Sequence, residues 1–164
     1  MINKKICMLG AFSVGKTALV QQYVHSIFSD KYLSSVGVKI SKKAMSVDAT
    51  DVTLLLWDME GKDLYVDVNI SYLRGAMGYF LVVDGQRKDT LQVALELRNI
   101  AVNLAGPQVP HYILLNKADL EPQWEINDDD LESLRAQGIS FLKTSAKSGQ
   151  GVEEAFMGLA KAML

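Results

Sequence analysis

The sequence predicts an α/β fold in which helices cover a six-stranded, mostly parallel β-sheet. Two observations lead to this fold class. Short apolar runs typical of buried strands alternate with helical patterns along the whole chain, in the order β-α-β-β-α-β-α-β-α-β-α. Two β-type runs also follow each other around residues 48–51, which indicates a hairpin and therefore one antiparallel strand. No repeat, low-complexity tract or linker divides the 164 residues, so we expect a single domain over residues 1–164.

Each predicted element has its own sequence signal. Runs of apolar and β-branched residues predict the strands, which cover residues 5–9, 36–47, 52–57, 78–83, 112–115 and 139–143. Apolar residues at helical spacings predict helices over residues 17–27 and 91–105. Acidic residues at its start and Gly138 at its end predict a helix over residues 128–137, and a last helix covers residues 152–164. The element order places a fifth helix between the third and fourth strands.

Composition and charge exclude several classes of protein. The 17 basic and 19 acidic residues give a net charge of −2, which argues against a strongly basic nucleic-acid binder. An apolar content of 49% argues against a disordered chain. The single cysteine, Cys7, excludes a disulfide framework and a multi-cysteine zinc site, and we expect it in the core. The longest low-polarity run, residues 75–83, is far shorter than the roughly 18 residues that span a membrane, so we expect no membrane-spanning segment. We further expect a monomeric protein in the reducing cytoplasm.

The residues after the first predicted strand carry a phosphate-binding signature. Residues 10–17 read Gly-Ala-Phe-Ser-Val-Gly-Lys-Thr, which fits the pattern G-x-x-x-x-G-K-[ST] between a strand and a helix. Glycines let the backbone wrap closely around a phosphate, and successive N–H groups and the positive end of the helix attract it. Lys16 is expected to reach the outer phosphates, and the Thr17 hydroxyl to bind Mg²⁺. The motif makes the predicted fold a P-loop NTPase-type three-layer sandwich.

Three further motifs each follow a predicted strand directly. Asp58 begins an Asp-x-x-Gly motif ending at Gly61, in which the carboxylate can hold Mg²⁺ through water and the glycine N–H can approach a γ-phosphate. Residues 116–119 read Asn-Lys-Ala-Asp, and the Asp119 carboxylate can accept two N–H donors from a guanine edge, a pair that adenine lacks. Residues 144–147 read Thr-Ser-Ala-Lys, where a backbone N–H can meet the guanine carbonyl. Ligands bind at the carboxyl ends of such strands, so the four motifs predict a guanine-nucleotide site.

These motifs resemble those of the Ras superfamily of small GTPases over essentially the whole chain, and the likeness is Rab-like. Residues 32–38 resemble the family's first switch, with Ser35 where the family usually has a metal-binding threonine. Trp57 and Asp58 resemble the start of the second switch, and Phe28 sits where the family places an aromatic ring against guanine. The resemblance implies tight binding of GDP, GTP and Mg²⁺, and two switch segments that reorder around the γ-phosphate.

The resemblance also implies a set of site residues by their positions in this chain. The nucleotide contacts are expected from Ser13, Val14, Gly15, Lys16, Thr17, Ala18, Phe28, Ser35, Gly61, Asn116, Lys117, Asp119, Ser145, Ala146 and Lys147. The metal ligands are expected to be Thr17, Ser35 and Asp58. The residues nearest the chemistry are expected to be Lys16, Gly61 and Lys62. Protein effectors and regulators are expected to bind around Leu33–Val38 and Met59–Tyr72.

The hydrolytic positions depart from the family. Lys62 stands where the family has a glutamine that orients the attacking water, and an ammonium cannot accept a hydrogen bond from that water. Met59 and Glu60 replace the family's Thr-Ala. The Phe12 ring either crowds an arginine from an activating partner or packs on a switch segment. We therefore expect slow intrinsic hydrolysis. Two alternatives stay open: a pseudo-GTPase that binds nucleotide constitutively as an interaction module, and a P-loop ATPase or small-molecule kinase, against which the guanine-selecting motif argues.

The two histidines and one acidic run are interpreted as structural features. His25 and His111 lie near element ends and are expected to be surface or capping residues rather than metal ligands. Residues 127–130 read Asn-Asp-Asp-Asp and look like a Ca²⁺ loop, but the glycine and glutamate spacing of an EF-hand is missing. We therefore predict that this run caps the start of a helix.

Overall fold

The structure, a computed structural model, describes residues 2–25, 37–60 and 70–164. Its strands are β1 (Ile2–Gly10), β2 (Gly37–Val47), β3 (Thr50–Glu60), β4 (Gly78–Asp84), β5 (His111–Asn116) and β6 (Phe141–Lys143). They form a six-stranded sheet in the order β2-β3-β1-β4-β5-β6. The predicted strand number is therefore confirmed.

All neighbouring strands in this sheet are parallel except β2 and β3, which pair antiparallel. The turn between these two strands consists of Asp48 and Ala49, whose φ angles are 48° and 68°. Two left-handed central residues give a turn whose twist matches the right-handed twist of the flanking strands. The predicted hairpin and single antiparallel strand are confirmed.

Helices lie on both faces of the sheet. The α-helices are α1 (Lys16–His25), α2 (Asp89–Ala105), α3 (Asp128–Ala136) and α4 (Val152–Met163), and the 3-10 helices are Ile70–Leu73 and Ala118–Gln123. Tyr23 of α1 stacks on Phe156 of α4 with ring centroids 4.0 Å apart, and Phe156 meets Phe80 of β4 edge-on. Neighbouring residues of a strand point to opposite faces, so Tyr79 of β4 faces away from the side on which Phe80 meets α4. Tyr79 lies near Arg98 of α2, and α2 packs on β1 and β4. α2 therefore covers the other face of the sheet. The predicted three-layer α/β sandwich is confirmed.

The core is centred on the middle strands. Every residue of β4 is buried, as expected for a continuous apolar run covered on both faces. Cys7 of β1 is 0% exposed, which confirms its predicted place in the core. Burial raises the pKa of the Cys7 thiol to about 11, so the group stays a neutral thiol at physiological pH.

The predicted helix cap at Asn127 is confirmed. The Asn127 side chain accepts a hydrogen bond from the Asp130 N–H, and the Asp130 carboxylate accepts one from the Asn127 N–H. This reciprocal pair satisfies two N–H groups that the first turn of a helix cannot bond internally.

Some expectations from the sequence were wrong. β3 extends to Glu60 and β5 to Asn116, so Asp58 and Asn116 lie within these strands rather than directly after them, because the strand pairing continues past the apolar runs. The last strand begins at Phe141 rather than at Ile139, because the Ile139 N–H bonds to the Leu134 carbonyl in the turn that ends α3. His111 is half-buried rather than a surface or capping residue, since its ring stacks on Tyr79 with centroids 4.6 Å apart. Across the described ranges, no helix combines the length and the apolar character needed to cross a lipid bilayer.

Candidate functional site

The loop between β1 and α1 lies at the carboxyl edge of the parallel strands. Ser13 and Gly15 have positive φ angles of 61° and 104°, so the backbone turns back on itself before α1 begins. A Cβ on Gly15 would lie 2.3 Å from the Nδ2 atom of Asn116, which leaves no room for any side chain at this position. The loop therefore packs directly against the end of β5 and presents the N–H groups of the first turn of α1 at this edge.

The lysine of the loop is held by the loop itself. Lys16 is 2% exposed, and its Nζ atom donates to the carbonyl oxygens of Gly10 and Ala11 at 3.0 and 2.9 Å. A buried ammonium needs such acceptors because it has lost its hydration. The positive charge is thus fixed within the loop that the sequence predicts to bind phosphate.

Two oxygen ligands meet next to this loop. The Thr17 hydroxyl at the start of α1 donates to the Asp58 Oδ2 atom near the end of β3, with the oxygens 2.5 Å apart. Asp58 is 2% exposed. Mg²⁺ is a hard cation that prefers carboxylate and hydroxyl oxygens, so this pair fits the metal that the sequence implies.

The motif after β5 is tied to the phosphate loop. The Asn116 Nδ2 atom donates to the Val14 carbonyl at 2.9 Å, and its Oδ1 atom accepts from the Thr144 hydroxyl at 3.2 Å. The Ser145 hydroxyl donates to an Asp119 carboxylate oxygen at 2.7 Å and so orients that carboxylate. One amide therefore joins three motifs that are separate in the sequence.

These motifs surround a cavity of about 230 Å³. Its walls are formed by Gly15, Ala18, Gln86, Asn116, Lys117, Asp119, Leu120, Ala146 and Lys147. All but two of these residues, Gln86 and Leu120, were predicted nucleotide contacts. Gln86 follows β4, and the sequence analysis assigned no motif to the end of that strand. Its position directly after a parallel strand is the sequence signal that would have identified Gln86 as a site residue.

Asp84 at the end of β4 is a second residue that the sequence analysis missed. Its carboxylate is 2% exposed and accepts hydrogen bonds from Lys117 Nζ at 2.8 Å, from Arg87 Nε at 3.1 Å and from the Gln86 N–H at 2.9 Å. Burial raises the pKa of the Asp84 carboxyl, but these hydrogen bonds, with the one from Lys117 largest, outweigh burial and lower it. Arg87 also donates to the Phe12 carbonyl at 2.7 Å, so this network links the phosphate loop to the base motif.

Four of the predicted site residues, Phe28, Ser35, Gly61 and Lys62, lie outside the described residues. The same holds for most of the two segments expected to bind protein partners. The remaining predicted residues all lie at the carboxyl edge of the sheet: Asp58 and Asn116 lie near the ends of β3 and β5, and the others lie on the loops that follow β1, β5 and β6 or at the start of α1. The structure thus brings the phosphate, metal and base motifs together.

Comparisons with known proteins all match Ras and Ras-related proteins. The sequence profile described as the Ras family matches residues 5–164. Ras-related protein Rab-13 from Bos taurus is 32% identical over 162 residues, which cover 98% of this chain and 79% of that protein. Ras-related protein Rab-8B from Homo sapiens is 33% identical over 159 residues, covering 96% of this chain and 76% of that protein. Ras-related protein Rab-4 from Dictyostelium discoideum is 31% identical over 154 residues, covering 93% and 75%.

Proposed function

Because the chain belongs to the Ras family, as a Rab-like small GTPase, we propose that it binds GTP and GDP with Mg²⁺ and acts as a switch that hydrolyses GTP slowly. The observation that carries this proposal is the Asn116 amide, which ties the lysine-bearing phosphate loop to the base motif beside one cavity. A ligand with a phosphate chain at one end and a base at the other fits such a continuous site.

The base motif favours guanine over adenine. The Asp119 carboxylate is oriented by the Ser145 hydroxyl and lines the cavity, where it can accept the two N–H donors of a guanine edge. Ala146 and Lys147 form part of the wall, and their backbone N–H groups are the candidate donors to the guanine carbonyl. Competition between GDP and ADP for the purified protein tests this selectivity, and preference for ADP would contradict it.

Thr17 and Asp58 are the described residues that would hold the metal. When bound, Mg²⁺ neutralises charge on the outer phosphates, and the ammonium of Lys16 acts on the same phosphates. We expect chelation with EDTA to accelerate release of bound GDP from the wild-type protein. An unchanged release rate would contradict a metal role for this pair.

Slow hydrolysis follows from Lys62, which lies outside the described residues. An ammonium offers only donors, so it cannot accept a hydrogen bond from the attacking water, although its charge can stabilise phosphate oxygens. We expect Lys62→Gln to raise the single-turnover rate of GTP hydrolysis. The matched control is Lys161→Gln on the exposed surface of α4, which should leave the rate unchanged.

The first experiment is to identify the nucleotide that co-purifies with the protein. GTP as the main species would support binding with weak turnover. GDP would show that hydrolysis proceeds without the glutamine, and no increase with Lys62→Gln would then refute the assigned role of that position. The absence of any guanine nucleotide, together with no binding of added GDP, would refute the proposed function.

Effectors and regulators would contact the segments around Leu33–Val38 and Met59–Tyr72. Of these, the described part includes Tyr72, whose ring lies 5.6 Å from that of Trp57. A protein that binds the GTP-loaded form more tightly than the GDP-loaded form is the expected kind of partner. Equal affinity for both forms would contradict the switch.

A further inference from the structure

The indole of Trp124 fills a position that a side chain on Gly85 would occupy. Trp124 follows the 3-10 helix that carries Asp119, and Gly85 follows β4 directly. A Cβ built on Gly85 would lie 2.0 Å from the Cε2 atom of the indole. The ring therefore rests on the bare backbone of Gly85, and no larger residue at that position allows this contact.

The same indole holds the backbone of the base motif. Its Nε1 atom donates to the Lys117 carbonyl at 2.9 Å. Lys117 has a left-handed conformation, with φ 69° and ψ 39°, which is costly for a residue with a side chain. On the far side of the motif, the Ala118 N–H donates to the Thr144 carbonyl at 2.9 Å. The Lys117 carbonyl also accepts a hydrogen bond from the Leu120 N–H at 2.9 Å, within the turn of the 3-10 helix. Trp124 supplies the side-chain donor to this carbonyl.

Backbone hydrogen bonds hold Gly85 and the segment around Trp124 in a fixed relative position. The Gly85 carbonyl accepts from the N–H groups of Glu125 and Ile126 at 3.0 and 3.3 Å, while the Gly85 N–H donates to the Asn116 carbonyl at 3.2 Å. The next residue, Gln86, lines the cavity, and its Nε2 atom donates a hydrogen bond to the Gln123 Oε1 atom at 3.2 Å. The segment after β4 and the segment around Trp124 therefore form one unit around the base cavity.

We infer that Trp124 is a positioning residue for the base pocket, which sets how long a guanine nucleotide stays bound and how well its exocyclic amino group is recognised. This inference rests on the proposed function. The indole N–H and the Leu120 N–H together hold the Lys117 carbonyl, and this sets the orientation of the two-residue step from Lys117 to Asp119. The Asp119 carboxylate then meets the amino group of guanine in a favourable geometry.

The test compares Trp124→Phe with the wild-type protein. Phenylalanine keeps an aromatic ring against Gly85 but removes the N–H donor, so the Lys117 carbonyl keeps only the hydrogen bond from the Leu120 N–H at 2.9 Å. The probes are the fluorescent mant derivatives of GDP and of IDP, which lacks the exocyclic amino group. We expect Trp124→Phe to accelerate dissociation of mant-GDP about fivefold, as expected for the loss of one hydrogen bond. Dissociation of mant-IDP should accelerate less, so the ratio of the two rates changes.

The matched control is Tyr79→Phe in β4, which likewise removes one buried donor and keeps an aromatic ring. The Tyr79 hydroxyl has no hydrogen-bond partner among the residues that the structure describes, so removing it should leave both rates unchanged. All rates are measured well below the melting temperature of each variant. Unchanged rates in Trp124→Phe, or equal acceleration of both nucleotides, would overturn the inference and leave Trp124 a merely structural residue. Failure of the wild-type protein to bind mant-GDP would refute the proposed function itself, and the inference with it.

Discussion

Replacing Asn116 with alanine should be among the most damaging single changes near the cavity. The side chain is 1% exposed and makes two hydrogen bonds, to the Val14 carbonyl at 2.9 Å and from the Thr144 hydroxyl at 3.2 Å. Asn116→Ala leaves both buried partners without their bonds, at a cost of about 1–3 kcal/mol each. We expect a loss of about 2–6 kcal/mol in the free energy of unfolding, which for a domain of this size lowers the melting temperature by about 4–24 °C.

Urea denaturation without added nucleotide measures this loss, and GDP affinity is the second readout. Thr144→Val removes only one of the two bonds, so its loss should be smaller than that of Asn116→Ala. The matched control is Asn103→Ala on the exposed surface of α2, where we expect a change within about 0.5 kcal/mol. Stability of Asn116→Ala within that margin would refute the reasoning. Equal losses for Asn116→Ala and Thr144→Val would show that the contact with the phosphate loop contributes nothing.

Three further predictions concern charge and capping. Burial raises the pKa of the folded Asp84 carboxyl, but its hydrogen bonds, above all the one from Lys117, lower it below the value in the unfolded chain. As the pH falls below about 4, the unfolded chain therefore binds this proton more readily, and the folded state loses stability. Urea midpoints should therefore fall more steeply toward pH 3 in wild type than in Asp84→Asn. Burial, with a smaller contribution from Arg98, lowers the pKa of folded His111. Lowering the pH from about 7 to 5 should then destabilise wild type more than His111→Gln, and parallel urea curves would contradict this. Asn127→Ala removes the cap of α3 and should cost about 1 kcal/mol in urea denaturation at pH 7.

The fold and the motifs were predictable because they depend on order along the chain. A buried strand is visible as an apolar run, and the residue that follows it, such as Asp58 or Asn116, is visible by position alone. Parallel strands end at one edge of a sheet, so four separate motifs had to meet once the strand order was known. The sequence therefore predicts where the cavity lies before any distance is measured.

The residues that the sequence analysis missed owe their roles to contacts between distant parts of the chain. Asp84 acts through Lys117, and Gln86 enters the cavity wall only because β4 lies next to β5. The need for glycine at position 85 arises only from its contact with the Trp124 indole. The sequence shows that Asp84 and Gln86 follow a buried strand, but it does not show which distant residues they contact.

Asn116 and Asp84 each link the phosphate loop to the base motif, and these links differ in physical character. Asn116 makes buried, neutral hydrogen bonds that solvent cannot screen. The ionic link through Asp84 ends on Lys117 and Arg87, whose side chains are 34% and 40% exposed, so water and salt weaken its attraction. Rigidity of the site should therefore depend on Asn116, whereas Asp84 should matter chiefly through its proton. Raising the salt concentration to 1 M should reduce the effect of Asp84→Asn on stability and leave the effect of Asn116→Ala nearly unchanged.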